Sequence, residues 1–178
     1  MEGASAKGAR MSEIVWQGQY LTMIVDDRWE YVSRARGIGA AVIVATDGDA
    51  VILVEQYRVP LGHRCLELPA GLVGDDSAGE TPLAAAAREL EEETGYRAGK
   101  ITSLGQFYSS PGMVSECYEL VRATDLTRVG EGGGTADEGI TVHRVPLGEI
   151  ADFIATKRAE GVAIDGKLLL LLGGTILG

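Results

Sequence analysis

Four carboxylates, Glu89, Glu91, Glu92 and Glu93, stand within five residues of one another, with Arg88 as the adjoining basic residue. Crowded like charges repel, by roughly a few tenths of a kcal/mol per pair one helical turn apart. In a helix three of them fall in the last turn, where the macrodipole disfavours negative charge. Stability alone does not select such a run. Hard oxygen ligands at this density suit a divalent cation, and a cation held this way can neutralise phosphates and orient an attacking water. The competing account is a solvated acidic face on an amphipathic helix.

The element that must position these carboxylates is predicted over residues 82–94. Thr81 suits an N-cap, Pro82 the first helical position and Gly95 the C-terminal stop, with good helix formers at 83–87. Leu83, Ala87, Leu90 and Thr94 share one stripe that can face a core. Glu89 and Glu93, four residues apart, lie together on the neighbouring stripe.

At 178 residues the chain is long enough for one ordinary domain with a substantial core. With 26 acidic against 16 basic residues its formal net charge is −10, which argues against nucleic acid as a main partner. An anionic substrate then needs local cations or metal. Cys65 and Cys117 sit in apolar, strand-like contexts without metal or redox spacing, so both read as buried hydrophobes in a reduced, cytoplasmic protein. Residues 1–12 read as a disordered tail and not a signal peptide. No membrane span is expected, because the leucines of 168–172 fall far short of the roughly 20 residues needed; a buried C-terminal helix is the better reading.

Residues 14–25 and 29–36 are predicted to form an N-terminal antiparallel hairpin turning at Asp26-Asp27, and residues 39–45 and 50–57 two apolar central strands joined at Asp47-Gly48-Asp49. Strands follow at 101–109 and 117–123 around the loop Ser110-Pro111-Gly112. Residues 127–139, with five glycines and the acids Glu131, Asp137 and Glu138, read as a mobile loop. A strand at 140–145, a helix from Pro146 to about Glu160 and a last helix at 167–172, capped by Asp165, complete an α+β layered domain.

The series Gly74, five residues, Glu80, seven residues, then Arg88-Glu89-Leu90-Glu91-Glu92-Glu93-Thr94-Gly95-Tyr96 resembles the Nudix box at every defined position. The resemblance implies an α/β/α sandwich around a mixed sheet, and a hydrolase that cleaves nucleoside diphosphates linked to another moiety with Mg²⁺ or Mn²⁺. Trp29-Glu30 with Arg34, Glu55-Gln56-Tyr57-Arg58, Leu66-Glu67-Leu68-Pro69-Ala70-Gly71 and Ser110-Pro111-Gly112 are similar to ADP-ribose and ADP-sugar pyrophosphatases. Pro111, fifteen positions after Tyr96, falls where that group carries its marker proline. One departure is a three-residue extension: Gly71 lies nine residues before Glu80, and only Gly74 has the standard spacing.

By this resemblance residues 13–178 form one Nudix domain, with 13–37 as a dimerisation and substrate hairpin and 38–178 as the catalytic core. It implies two to three Mg²⁺ ions per site, held by Glu89, Glu92, Glu93 and the carbonyl of Ala70, with Arg88 orienting the carboxylates and Glu80 supporting the helix start. Glu138 is the first candidate for general base, with Asp137 and Glu116 as alternatives. For substrate, Trp29 stacks on adenine near Glu30 and Arg34, with Tyr20 as a second stacking candidate, Arg58 meets phosphate or base, and Pro111, Met113 and Glu116 line the terminal ribose end. The implied protein is a homodimer whose hairpins cross to the opposite subunit. ADP-ribose is the leading substrate, another nucleoside diphosphate sugar such as GDP-mannose the nearest rival, and a non-catalytic nucleotide-sensing module the rival of another class.

Overall fold

The computed structural model describes residues 12–35, 38–74, 79–135 and 138–177. Most of the expected tail, Arg36 at the end of the hairpin and the alternative base Asp137 lie outside them. The N-terminal unit is a three-stranded antiparallel sheet, β1 (Glu13–Gln17), β2 (Leu21–Asp26) and β3 (Trp29–Arg34), where a two-stranded hairpin was expected. The difference arises at Gly18, whose N–H donates to the Leu21 carbonyl at 2.8 Å and folds the long apolar run into two strands. The Trp16 ring lies over Gly18 where a Cβ would sit, so a larger residue there would have to displace the ring.

The main sheet is mixed. It comprises β4 (Gly39–Asp47), β5 (Ala50–Arg58), β6 (His63–Glu67), β7 (Ala70–Val73), β8 (Tyr96–Tyr108), β9 (Cys117–Arg128), β10 (Thr141–Pro146) and β11 (Ala163–Ile164). Strands β4 and β9 run parallel, as do β6 and β11, and the remaining pairs are antiparallel. The Val- and Ile-rich β4 and β5 are buried on both faces, as their near-continuous apolar content requires.

Helix α1 (Pro82–Thr94) has the expected bounds and caps: the Thr81 hydroxyl accepts from the Ala84 N–H at 3.2 Å, and Gly95 closes the helix in the left-handed region at φ 74°. Its buried stripe is displaced from the expected one. Leu83 is exposed, whereas Ala86 and Leu90 pack against Ala41, Ile43, Ile52 and Val121 on one face of the sheet, and Thr94 is buried. The displacement carries Glu93 onto the buried side. On the opposite face α2 (Ile150–Ala159) sets Ile150 and Ile154 against Val51, Leu53, Leu66 and Leu168. The two cores make the expected helix–sheet–helix sandwich.

Other boundaries moved. Strand β8 starts directly after Gly95 and β9 runs on to Arg128, because their alternation allows one long ladder with a solvated face. Pro146 ends β10, and a 3₁₀ turn at Leu147–Glu149 precedes α2. The C-terminal leucines form a 3₁₀ segment, Gly166–Leu170, capped by Asp165, and α3 (Gly173–Leu177) follows. Of Leu168, Leu169 and Leu170 only Leu168 is buried, so the expected buried helix is replaced by a half-covered one. Cys65 is buried, but Cys117 is only partly so and its sulfur accepts from Gln106 Nε2 at 3.1 Å. Among the described residues no helix is long and apolar enough to cross a membrane.

Strands β4 and β5 pair only near their connecting turn, at Ala45↔Ile52, Thr46↔Val51 and Asp47↔Ala50, and then part. Beyond that point β4 pairs with β7 and β5 with β6. Leu68-Pro69 carries the chain between the two ladders, and the Pro69 carbonyl accepts from the Ile43 N–H at 2.9 Å. A cavity opens beside this split, lined by Ala40 of β4, Gln56 and Arg58 of β5, and Ala70 and Gly71 of β7.

Candidate active site

The cavity has a volume of about 430 Å³. Glu89 and Glu93 enter it from α1, Ala70 and Gly71 from β7, Gln56 and Arg58 from β5, Arg34 from β3, and Glu138 from the glycine-rich loop. One wall is therefore carboxylate and the other guanidinium.

Glu93 is 5% exposed. Its Oε2 accepts from the Ala70 N–H at 3.1 Å, and among the described residues it forms no ion pair with a lysine, arginine or histidine. Burial pushes its pKa up to about 8; the Ala70 N–H opposes that, while Glu89 and Glu138 add to it. Glu89 is raised in the same way by burial, against the pull of Arg88. The close approach of β7 to α1 depends on Gly71, since a Cβ there would overlap the Glu89 carboxyl group.

Arg88 stands behind the cavity as an organiser. Its Nη1 donates to Glu89 Oε1 at 3.0 Å and to Glu92 Oε2 at 3.2 Å, its Nε to Glu80 Oε1 at 3.2 Å, and its Nη2 to the Leu72 carbonyl at 3.3 Å. Glu80 also accepts from the Gly74 N–H at 3.1 Å, so the extended loop still returns Glu80 to the helix. Glu92 is held on the outer face beside Arg88 and does not line the cavity.

The glycine-rich loop has a second reason for its composition. The Gly133 and Gly134 N–H groups donate to the Glu93 and Glu92 carbonyls at 2.8 and 3.0 Å, capping the end of α1. A Cβ on Gly132 would overlap the backbone at Thr94. The loop is thus docked on the turn that carries Glu93. Glu138 Oε2 accepts from the Thr135 N–H at 2.7 Å, and the residue lines the cavity.

Arg58 is held by a two-point contact with buried Glu67, Nε to Oε1 at 2.6 Å and Nη2 to Oε2 at 2.9 Å. Arg34 pairs with Glu116 at 2.6 Å, so these two expected substrate contacts meet each other. Trp29 and Pro111 lie in a second hollow of about 390 Å³, with Asp26, Tyr31, Gly112, Val114 and Ser115. Glu30 and Met113 are exposed and line neither hollow. Backbone bonds tie β3 to this loop: Val32 N–H to the Met113 carbonyl and Ser115 N–H to the Val32 carbonyl, both at 3.0 Å. Gln56, Gly71 and Glu67 were not singled out as site residues; a glycine following Ala70 and acids inside an apolar strand were the available signals.

Among the described residues no three His, Cys, Asp or Glu side chains converge on a ready-made metal position. The donor chemistry nonetheless fits a hard divalent cation: Glu89 and Glu93 are hindered from ionising by burial, and neighbouring carboxylates add to the cost, Glu92 and Glu138 for Glu89, Glu89 and Glu138 for Glu93. A cation between them would remove both penalties.

The NUDIX domain model matches residues 35–165, most of the chain. The chain belongs to the Nudix hydrolase family. Members of this family generally use divalent metal ions such as Mg²⁺. This Nudix chain is 37% identical over 155 residues to an ADP-ribose pyrophosphatase of Bacillus subtilis, covering 82% of the chain and 81% of the relative. It is 37% identical over 147 residues to a GDP-mannose pyrophosphatase of Cronobacter sakazakii, covering 77% and 72%. A crystal structure of an ADP compounds hydrolase superposes with a TM-score of 0.67 at 27% identity, covering 82% of this chain and 80% of that one.

Proposed function

We propose that this Nudix hydrolase cleaves the pyrophosphate bond of ADP-ribose, or a related ADP-sugar, giving AMP and ribose 5-phosphate in the cytoplasm. The observation that carries this reading is the cavity in which Glu89, Glu93 and Glu138 face Arg34 and Arg58. A diphosphate bridges two such walls, with cations on one side and guanidinium groups on the other. The name of one relative at 37% identity, an ADP-ribose pyrophosphatase, supports this substrate, while the other, a GDP-mannose pyrophosphatase, supports pyrophosphate cleavage in a nucleoside diphosphate sugar.

Two to three Mg²⁺ ions, with Mn²⁺ as a substitute, fit this reading and would be held by Glu89, Glu93 and the Ala70 carbonyl, with Glu92 contributing from the outer face once turned from Arg88. When bound they neutralise the diphosphate and polarise a phosphoryl oxygen. Arg88 keeps Glu89 and Glu92 turned toward the helix face, and Arg58, fixed by Glu67, meets a phosphate. The Glu138 carboxylate takes a proton from the attacking water as the water oxygen bonds to phosphorus. The bridging P–O bond breaks and its electron pair leaves with the other phosphate. Residues 13–37 serve substrate and dimer contacts: Trp29 and Pro111 bound an apolar slot suited to one face of a nucleobase, and the exposed Ile14, Trp16 and Tyr20 supply area for a second subunit.

The test is a turnover screen of ADP-ribose, GDP-mannose and dinucleotides with Mg²⁺, comparing wild type with Glu93→Gln and Glu138→Gln. ADP-ribose is expected to turn over fastest. No hydrolysis of any of them would sink the enzymatic reading in favour of a nucleotide sensor, and preference for GDP-mannose would move the assignment to the substrate named for the second relative.

A further inference from the structure

Glu138 sits on a loop whose glycine side is pinned to α1. The opposite side is the point where the chain enters β10 at Thr141. The β5–β10 ladder begins there, with Thr141 opposite Glu55, and the backbone groups just outside it have no strand to meet. Arg64, from β6, fills that position. Its Nη2 donates to the Glu55 carbonyl at 2.7 Å, to Thr141 Oγ1 at 3.0 Å and to the Gly139 carbonyl at 3.4 Å, while its Nε donates to Glu55 Oε1 at 2.7 Å. One guanidinium thereby joins β5, β6 and the residue following Glu138.

The anchor is itself over-determined. Glu55 Oε2 meets His143 Nε2 of β10 at 3.0 Å and Lys157 Nζ of α2 at 3.1 Å. Burial would raise the Glu55 carboxyl, but Arg64, Lys157 and His143 more than offset it and bring it down to about 2. The carboxylate is thus charged across any working pH, and its geometry is set from three elements. The neck of the loop is closed by the Ile140 N–H, which donates to the Gly133 carbonyl at 3.3 Å.

We propose that Arg64, anchored by Glu55, is a positioning residue for Glu138: it fixes the foot of the loop at Gly139 and Thr141 so that the Glu138 carboxylate faces the cavity. The inference rests on Glu138 acting as the base. A lysine keeps the charge beside Glu55 but lacks the fork that reaches all four acceptors. A displacement of about 1 Å at a reacting group can cost on the order of 10²-fold in rate.

The experiment is a double-mutant cycle on the full chain with ADP-ribose and Mg²⁺, measuring kcat, KM and thermal midpoint for Arg64→Lys, Thr141→Val, Glu138→Gln and their combinations. Arg64→Lys is expected to lower kcat by about 10- to 100-fold with KM within about twofold, and to lower it no further in the Glu138→Gln background. Thr141→Val, on an exposed strand position, should lower kcat several-fold with an unchanged midpoint and the same loss of effect with Glu138→Gln; it carries the test if Arg64→Lys does not fold. Equal losses in both backgrounds, or an unaltered kcat in both single variants, would overturn the proposal. Near-normal turnover of Glu138→Gln overturns the base assignment, and the positioning role with it; normal Arg64→Lys turnover alongside a crippled Glu138→Gln overturns the positioning role alone.

Discussion

Glu55 and Glu93 are buried to the same degree, 6% and 5% exposed, and their surroundings are opposite. Glu55 is enclosed by Arg64, Lys157 and the His143 ring, and its carboxyl is brought down to about 2. Glu93 has one backbone N–H and two other carboxylates, and is pushed up to about 8. A protein that compensates one buried carboxylate so fully has the means to compensate the other. Among the described residues Glu93 has no ion pair and only the through-space pull of Arg58, which fits a position that a ligand completes.

The largest effect that would break or sharpen this contrast is on rate. Glu93→Gln is expected to lower kcat by about 10³-fold, while the thermal midpoint of the metal-free protein at neutral pH holds or rises because folding no longer has to keep a carboxyl group from ionising. A midpoint that falls would show Glu93 to be structural. Glu55→Gln should do the reverse to stability, leaving Arg64 and Lys157 without their shared counter-charge. We expect a loss of about 3 kcal/mol, at the low end for a broken buried pair because Arg64 reaches solvent. That corresponds to roughly 6–12 °C in thermal midpoint, readable by calorimetry.

The pH dependences also have opposite signs. Glu55 has a folded pKa below its unfolded value, so its stabilisation is complete above about 4.5 and is lost as pH falls toward 2. Glu93 has a folded pKa above its unfolded value. Its carboxyl favours folding when protonated, and its cost grows as pH rises from 4.5 to about 8. In EDTA, melts across that upper window should show a declining midpoint for wild type and a flatter one for Glu93→Gln, whereas Glu55→Gln should flatten the acid limb. The smallest effect is that of metal: Mg²⁺ at ten times its Kd should stabilise wild type by about 1.4 kcal/mol and leave Glu93→Gln unmoved, with equal shifts in both placing the ion elsewhere.

Sequence made α1 legible to the residue, because Thr81, Pro82 and Gly95 act locally and need no tertiary partner. The carboxylates of the site were legible for the same reason: their crowding is a local anomaly. Long-range pairing was not. The crowded run marks Glu93, but nothing in it says that this glutamate meets no lysine, arginine or histidine among the described residues, and nothing around Glu55 in the sequence names Arg64 and Lys157 as its partners from other elements. The glycines of the 127–139 loop signalled freedom in sequence, yet Gly132 and Gly133 serve a close approach to α1 that only the folded chain reveals. Leu83 took its expected place in the core stripe from helical periodicity, but the sheet lies under Ala86 and Leu90 instead. The turn at Gly18 was hidden because apolar residues continue on both sides of it.

The bridge between Val32 and Val114 has a bearing on how the molecule breathes. Two backbone hydrogen bonds make the N-terminal sheet and the Pro111 loop one mechanical body, with Arg34 and Glu116 as a side-chain rivet beside them. The Val32 and Ser115 amides should therefore exchange with deuterium at a common rate. A nucleotide that touches only the loop would slow exchange at Val32, on the first sheet of the chain, by the same factor as at Ser115.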